Sequence, residues 1–127
     1  MFSSIPSPGL RTIRLAFAIG LPAITTAALA EVAVPTPLNA KGQVELVLEG
    51  HRFTPAEIRL PADRPAAILL RNADATADEF DSKDLRVEKV VGGGAQGVIR
   101  LPPLKPGRYT FMGEFHADTA QGVVVVE

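Results

Sequence analysis

The sequence predicts an all-β sandwich. Three observations point there: apolar residues recur with a period of two in short runs, Gly and Pro punctuate those runs at close spacing, and no stretch sustains the periodicity of a long amphipathic helix. Val44, Leu46 and Leu48 alternate with Glu45, Val47 and Glu49, which reads as a half-buried strand. Gly50 to Pro55 reads as a turn region, with His51 a surface residue beside Arg52. Glu57-Ile58-Arg59-Leu60 alternates again, and Pro61 and Pro65 bracket the break that follows. Ala66 to Leu70 is continuously apolar, as a central strand is. Residues 72–88 are polar and acidic, with room for one helical turn at Ser82–Leu85. Val87 to Val91 and Val98 to Leu101 are strands on either side of the Gly92-Gly93-Gly94 loop, and Tyr109 to Phe111 and Val123 to Val126 close the set. Tyr109 is expected to pack and hydrogen-bond near the Pro106-Gly107 turn, as a corner tyrosine of a sandwich does.

The N-terminus has a different texture. Arg11 and Arg14 precede the run Leu15 to Leu29, which is apolar apart from Gly20, Pro22, Thr25 and Thr26, and Ala28-Leu29-Ala30 is a small-x-small processing site. Residues 1–30 are therefore read as an export signal peptide. The run is short for a membrane anchor and is broken by Pro22, so no span is expected after cleavage. Residues 31–40, with Pro35 and Pro37 and no periodic pattern, are expected to be a flexible leader, and 41–127 the folded domain.

Charge and cysteine content narrow the function. Residues 1–30 hold two of the 13 basic residues and none of the 14 acidic ones, so the remainder carries a formal charge of −3. That argues against nucleic acid and against anionic lipid as partners. The absence of cysteine excludes disulfides, thiolate catalysis and thiolate metal sites. No Ser-His-acid arrangement is legible, and the glycine triplet lacks the Lys-Ser/Thr of a phosphate loop.

Several residues nevertheless carry potential chemistry. Glu79 and Asp81 are two apart, so on extended backbone they share one side while Phe80 takes the other. Met112, Glu114 and His116 share a side by the same rule, with Phe111 and Phe115 opposite. The competing readings are ordinary ones: solvated acids for Glu79 and Asp81, a loop histidine for His116, core packing for Met112. Asp78, Asp84 and Glu88 are expected to be solvated or paired with Lys83, Arg86 and Lys89.

Residues 107–127, GRYTFMGEFHADTAQGVVVVE, resemble the last hairpin of a cupredoxin, and residues 53–80, FTPAEIRLPADRPAAILLRNADATADEF, resemble that family's N-terminal half. The resemblance runs from about residue 43 to the end and implies a Greek-key β-sandwich with a metal site between loops at one end. In that family the last loop carries a Cys three residues before the His and a Met two residues before the closing Gly, and a first His follows the Asn that ends the apolar strand. Those four places correspond here to Glu79 for the first His, Gly113 for the Cys, His116 and Ala120, so only the second His is retained. Without the thiolate, intense colour and fast copper electron transfer are expected to be absent.

The phrases EFDSKDLRVEKVV, PLKPGRYTFMGEFH and TAQGVVVV resemble one branch in particular, the periplasmic cupredoxin-like proteins encoded with ferrous-iron permeases. That resemblance implies a periplasmic accessory of iron uptake, an inner-membrane iron permease or other uptake component as partner, and iron or copper as the ion. The cupredoxin topology would gather Glu79, Asp81, Glu114 and His116 at one end, with Met112 as a soft ligand. Three carboxylates and one imidazole make a hard set suited to Fe(III), Mn(II) or Cu(II) rather than Cu(I). No enzymatic role is required by this reading. The alternatives are a copper-dependent ferrous oxidase component and a metal-free sandwich that binds a partner subunit.

Overall fold

The computed structural model describes residues 3–9, 12–27 and 33–127. It divides into two units, Met1–Ala30 and Glu31–Glu127. The described residues of the first unit carry no helix or strand, and among the described residues no helix is long and apolar enough to cross a membrane. The expected processing site, Ala28-Leu29-Ala30, lies outside the described residues.

The second unit is a Greek-key sandwich of two mixed sheets. Its strands are β1 (Val44–Glu49), β2 (Arg52–Thr54), β3 (Glu57–Leu60), β4 (Ala66–Asn72), β5 (Asp78–Ser82), β6 (Val87–Val91), β7 (Gln96–Leu101), β8 (Gly107–Gly113) and β9 (Gln121–Val126). One sheet has the order β2-β1-β4-β7 and the other β3-β9-β8-β5-β6. β1 runs parallel to β4 and β3 parallel to β9, and the remaining pairs are antiparallel.

The alternation read in β1 is the burial pattern observed: Val44, Leu46 and Leu48 are buried. β4 lies between β1 and β7, which is why it reads as a continuous apolar run. Tyr109 donates its hydroxyl to the Lys105 carbonyl at 2.8 Å, the corner contact expected of it.

Four local features differ from the sequence reading. The region 50–55 contains a strand, β2, joined to β1 by the two-residue turn Gly50-His51; both residues have positive φ, 59° and 56°, as a hairpin turn that matches strand twist requires. The acidic stretch after Asn72 contains β5, whose inward positions are Asp78, Phe80 and Ser82. Ser82–Leu85 forms a tight turn closed by Leu85 N–H donating to Ser82 Oγ at 3.0 Å rather than a helical turn. In the stretch expected as a loose leader, Thr36 clasps β3: its N–H donates to the Arg59 carbonyl at 2.9 Å and its Oγ1 accepts from Arg59 N–H at 2.7 Å.

Phe53, Phe80 and Phe111 meet in the core, with ring centroids 5.1 Å apart for Phe53–Phe111 and 4.9 Å for Phe80–Phe111. They join β2 of one sheet to β5 and β8 of the other. Gly122 has room only for hydrogen, because a Cβ there would run into the Phe111 ring. Each Phe stands two residues from a member of the site below: His51, Asp78 and Gly113. The aromatic trio is therefore the floor on which that end of the sandwich rests.

Candidate functional site

β5 and β8 pair antiparallel with Phe80 opposite Gly113. Inward-facing positions two residues before Phe80 and two after Phe111 are therefore Asp78 and Gly113. The chain then leaves the sheet. Glu114–His116 winds into a single 3-10 turn, so the alternation assumed for Met112, Glu114 and His116 stops at Gly113. The turn carries His116 back over the sandwich end, and Ala120 returns with its N–H on the His116 carbonyl at 2.9 Å. Asp78, Gly113, His116 and Ala120 converge here. The carboxylate that meets His116 is that of Asp78 and not Glu79, because Asp78 and Phe80 lie on the inward side of β5 and Glu79 on the other.

Asp78 is buried, its side chain only 4% exposed, and every oxygen is used. Oδ1 accepts the amides of Glu79 at 2.8 Å and Phe115 at 3.1 Å, and Oδ2 lies 2.9 Å from His116 Nδ1. With a carboxylate as acceptor, Nδ1 is the donor nitrogen, and in the neutral ring the lone pair is then on Nε2. A metal-ligating histidine is commonly oriented by this kind of carboxylate contact at its second nitrogen.

The loop that delivers Asp78 is built by Asn72, which is fully buried. Its Nδ2 donates to the carbonyls of Thr76 at 2.8 Å and Val91 at 3.1 Å, and its Oδ1 accepts from Asp74 N–H at 3.0 Å. Asp74 then reaches across to the β1–β2 turn, accepting Gly50 N–H at 2.7 Å and His51 N–H at 3.0 Å. Those two backbone donors, His51 first, hold its carboxyl below the ordinary value of 3.8, with the nearby His51 and His116 rings adding to the effect. The clamped turn sets the His51 ring on the His116 ring, with centroids 3.6 Å apart and planes 11° from parallel. His51, read from the sequence as a surface residue, is half-buried.

The other predicted donors share the outer face of the second sheet. Glu79 and Asp81 are outward on β5, Met112 is outward on β8 directly opposite Asp81, and Glu114 follows. Glu79 is pushed above its ordinary value of 4.5 by partial desolvation first, then by the charges of Glu114 and Glu88, a side-chain hydrogen bond with Glu114 and the charge of Asp81. The structure therefore brings Glu79, Asp81, Glu114 and Met112 to one surface and gives His116 a separate neighbourhood of Asp78 and His51. Among the described residues no group of three or more His, Asp or Glu side chains stands ready to hold a metal ion.

A type 1 copper centre does not fit the convergent site. A Cβ at Gly113 would lie 2.8 Å from both Asp78 Oδ2 and Ala120 Cβ, so the place of the thiolate is filled by the Asp78 carboxylate. Imidazole donors backed by carboxylate are what remains.

Asp78 and His51 were the residues missed from sequence. For Asp78 the signal existed: if Phe80 is inward, so is the residue two before it. For His51 the signal was a Gly-His pair between two alternating runs, a two-residue hairpin turn bearing the chain's other imidazole.

The profile of the Cupredoxin-like domain family matches residues 21–126. An uncharacterized protein of Rickettsia prowazekii (strain Madrid E) is 40% identical over 84 residues, spanning 66% of this chain and 67% of its own length. Among solved structures, the metal-binding domain of the Streptococcus pneumoniae Cu(I)-exporting P-type ATPase, determined with Cu(I), superposes with a TM-score of 0.63 at 23% identity, covering 74% of this chain and 94% of that one. Auracyanin A, a blue copper protein of Chloroflexus aurantiacus, gives 0.58 at 14% identity, covering 67% and 98%.

Proposed function

The chain belongs to the cupredoxin-like family, and we propose that it works as a periplasmic metal-binding accessory of iron uptake, taking iron or copper through imidazole and carboxylate donors instead of a thiolate. The observation that carries this reading is the Asp78–His116 contact at 2.9 Å, at the family's ligand loop, which points His116 Nε2 away from its buried partner. A bound ion would supply Lewis acidity or a redox change. Asp78 would fix the tautomer and orientation of His116, and the Phe53–Phe80–Phe111 floor would hold Asp78 in place. The outer-face set Glu79, Asp81, Glu114 and Met112 is the second place where a cation would be drawn, since charge repulsion there is relieved by a positive ion.

Copper-binding relatives make copper the first ion to test, and the branch phrases quoted above make iron the second. The partner in this reading is an inner-membrane iron permease. A second reading, docking on a partner subunit without metal, is favoured by the exposure of Val90, Met112 and Phe115 close to the acidic face.

Loading the full chain separately with Fe(II), Fe(III) and Cu(II), followed by mass-spectrometric measurement of bound metal, tests the first reading. His116→Ala is expected to remove most of the bound ion and Asp78→Asn to weaken affinity by about 10–100-fold. Equal loading of parent, His116→Ala and Glu79→Ala would remove both metal assignments. Oxygen consumption by the copper-loaded chain with Fe(II), no faster than with free copper, would separate a binding protein from a ferrous oxidase.

A further inference from the structure

Two open sheets have four edge strands, and a native sandwich has to keep each of them from pairing with another chain. β2 is only three residues long, and β6 and β7 lie side by side with the Lys89 side chain across Gly97. β3, the remaining edge, is met by a segment that belongs to no strand: Pro35-Thr36-Pro37. We propose that this segment is an edge guard, which by occupying Arg59 keeps β3 from pairing with β3 of a second copy of the chain. The inference is independent of the metal reading.

The parallel ladder to β9 uses alternate residues of β3. The Ala56 carbonyl accepts from Val123 N–H at 2.9 Å and the Leu60 carbonyl from Glu127 N–H at 3.2 Å. Ile58 and Leu60 therefore direct their backbone groups to β9, and Glu57 and Arg59 direct theirs outward. Thr36 takes both groups of Arg59: its N–H donates to the carbonyl at 2.9 Å and its Oγ1 accepts from the amide at 2.7 Å. The Arg59 side chain is held as well, between Glu57 at 2.7 Å and Glu127 at 2.8 Å. Next along the edge, Pro61 has no N–H to offer. Pro35 and Pro37 have none either, so the guard cannot carry the ladder on to a further strand.

The edge beneath the guard is complementary to itself. Two copies of β3 set antiparallel about a dyad at Ile58 put Glu57 of each opposite Arg59 of the other. These are the two residues whose backbone groups face outward, so they form the hydrogen-bonded pairs, and their side chains carry opposite charges. Such a contact is isologous and closes as a dimer. A short strand that matches its own copy in both hydrogen bonding and charge is what a sheet has to cover. The guard follows the expected processing site at residues 28–30, so cleavage there leaves it attached to the sandwich.

The test compares the full chain with Thr36→Pro, which loses both bonds to Arg59. Amide hydrogen exchange reads the guard, and sedimentation velocity at rising protein concentration reads association. Thr36→Pro is expected to speed exchange at the Arg59 amide by about tenfold and to form a dimer where the parent does not. Thr36→Val keeps the N–H and loses only the hydroxyl, so smaller changes in the same direction are expected. The register is read by mixing two chains that both carry Thr36→Pro, one with Glu57→Cys and the other with Arg59→Cys. The protein has no cysteine of its own, and a disulfide joining the two variants is expected, since directly opposed positions lie within disulfide reach. Far-ultraviolet circular dichroism confirms that each variant is folded. Unchanged exchange at Arg59 in both Thr36 variants overturns the guard. Faster exchange without association beyond that of the parent overturns the self-pairing it is proposed to prevent. A dimer that the mixed cysteines do not link lies on another surface and overturns the assignment to β3.

Discussion

The two faces of β5 are one residue apart in sequence and opposite in character. On the inner face Asp78 is buried, and its oxygens are saturated by two amides and the His116 ring. On the outer face Glu79 meets Glu114, Glu88 and Asp81, and its charged form is disfavoured. The inner end is preorganised: one carboxylate orients one imidazole, over a floor of three aromatic rings. The outer face gathers like charges. Strand alternation alone thus separates an acid that orients an imidazole from acids that repel one another.

The largest expected effect breaks both faces together. Phe80 lies between Glu79 and Asp81 and packs on Phe111 at 4.9 Å. Phe80→Ala should cost about 3–5 kcal/mol, measured by urea denaturation. A loss below about 1 kcal/mol would mean the aromatic floor does not support the site.

A smaller effect separates the faces on β8. Gly113 is inward and its added Cβ would press on Asp78 and Ala120, whereas Met112 is outward and exposed. Gly113→Ala should destabilise by about 1–3 kcal/mol. Met112→Ala should stay within about 0.5 kcal/mol. Equal effects would show that the packing around Asp78 is looser than the structure has it.

The smallest effects are electrostatic and of opposite sign. Glu79 has a folded value above 4.5, so its contribution is present below 4.5 and lost as pH rises through the folded value. Glu79→Gln should therefore raise stability near neutral pH, with the gain vanishing below pH 4.5. Asp74 has a folded value below 3.8, so its contribution is present above 3.8 and lost as pH falls through the folded value. Asp74→Asn should lower stability near neutral pH, and the variants should converge only at more acidic pH. Both groups are solvent-accessible, so salt should shrink the Glu79 effect most. Urea midpoints across pH 3–8 read both signs, and a shared sign would contradict the contrast between the repelled acid of the outer face and the amide-held acid of the loop that leads into β5.

How much of this was legible in the residues depended on what filled the inward positions. β1 announces itself because all its inward slots are apolar. β5 does not, because two of its three inward slots are polar, Asp78 and Ser82, each satisfied internally: Ser82 Oγ donates to the Thr110 carbonyl at 2.6 Å. A buried polar residue that finds its partners erases the period-two signal that strand reading relies on. The sandwich was readable from spacing and resemblance, and so was the weight placed on His116. That Asp78, not Glu79, is the acid beside His116 needed the inward register of β5 against β8. The His51–His116 stack needed tertiary structure, since nothing local links a hairpin turn to a loop 65 positions away.

The central claim is that His116 holds its proton on Nδ1, against Asp78, and offers Nε2 to a metal. Nitrogen-15 correlation spectra of the histidine rings, recorded with and without one equivalent of Zn(II) as a diamagnetic probe, test it most directly. The account predicts a protonated Nδ1 in both states and a metal-induced shift at Nε2 of His116. A proton on Nε2 before zinc is added, or a His116 ring unaltered by it, would contradict the account.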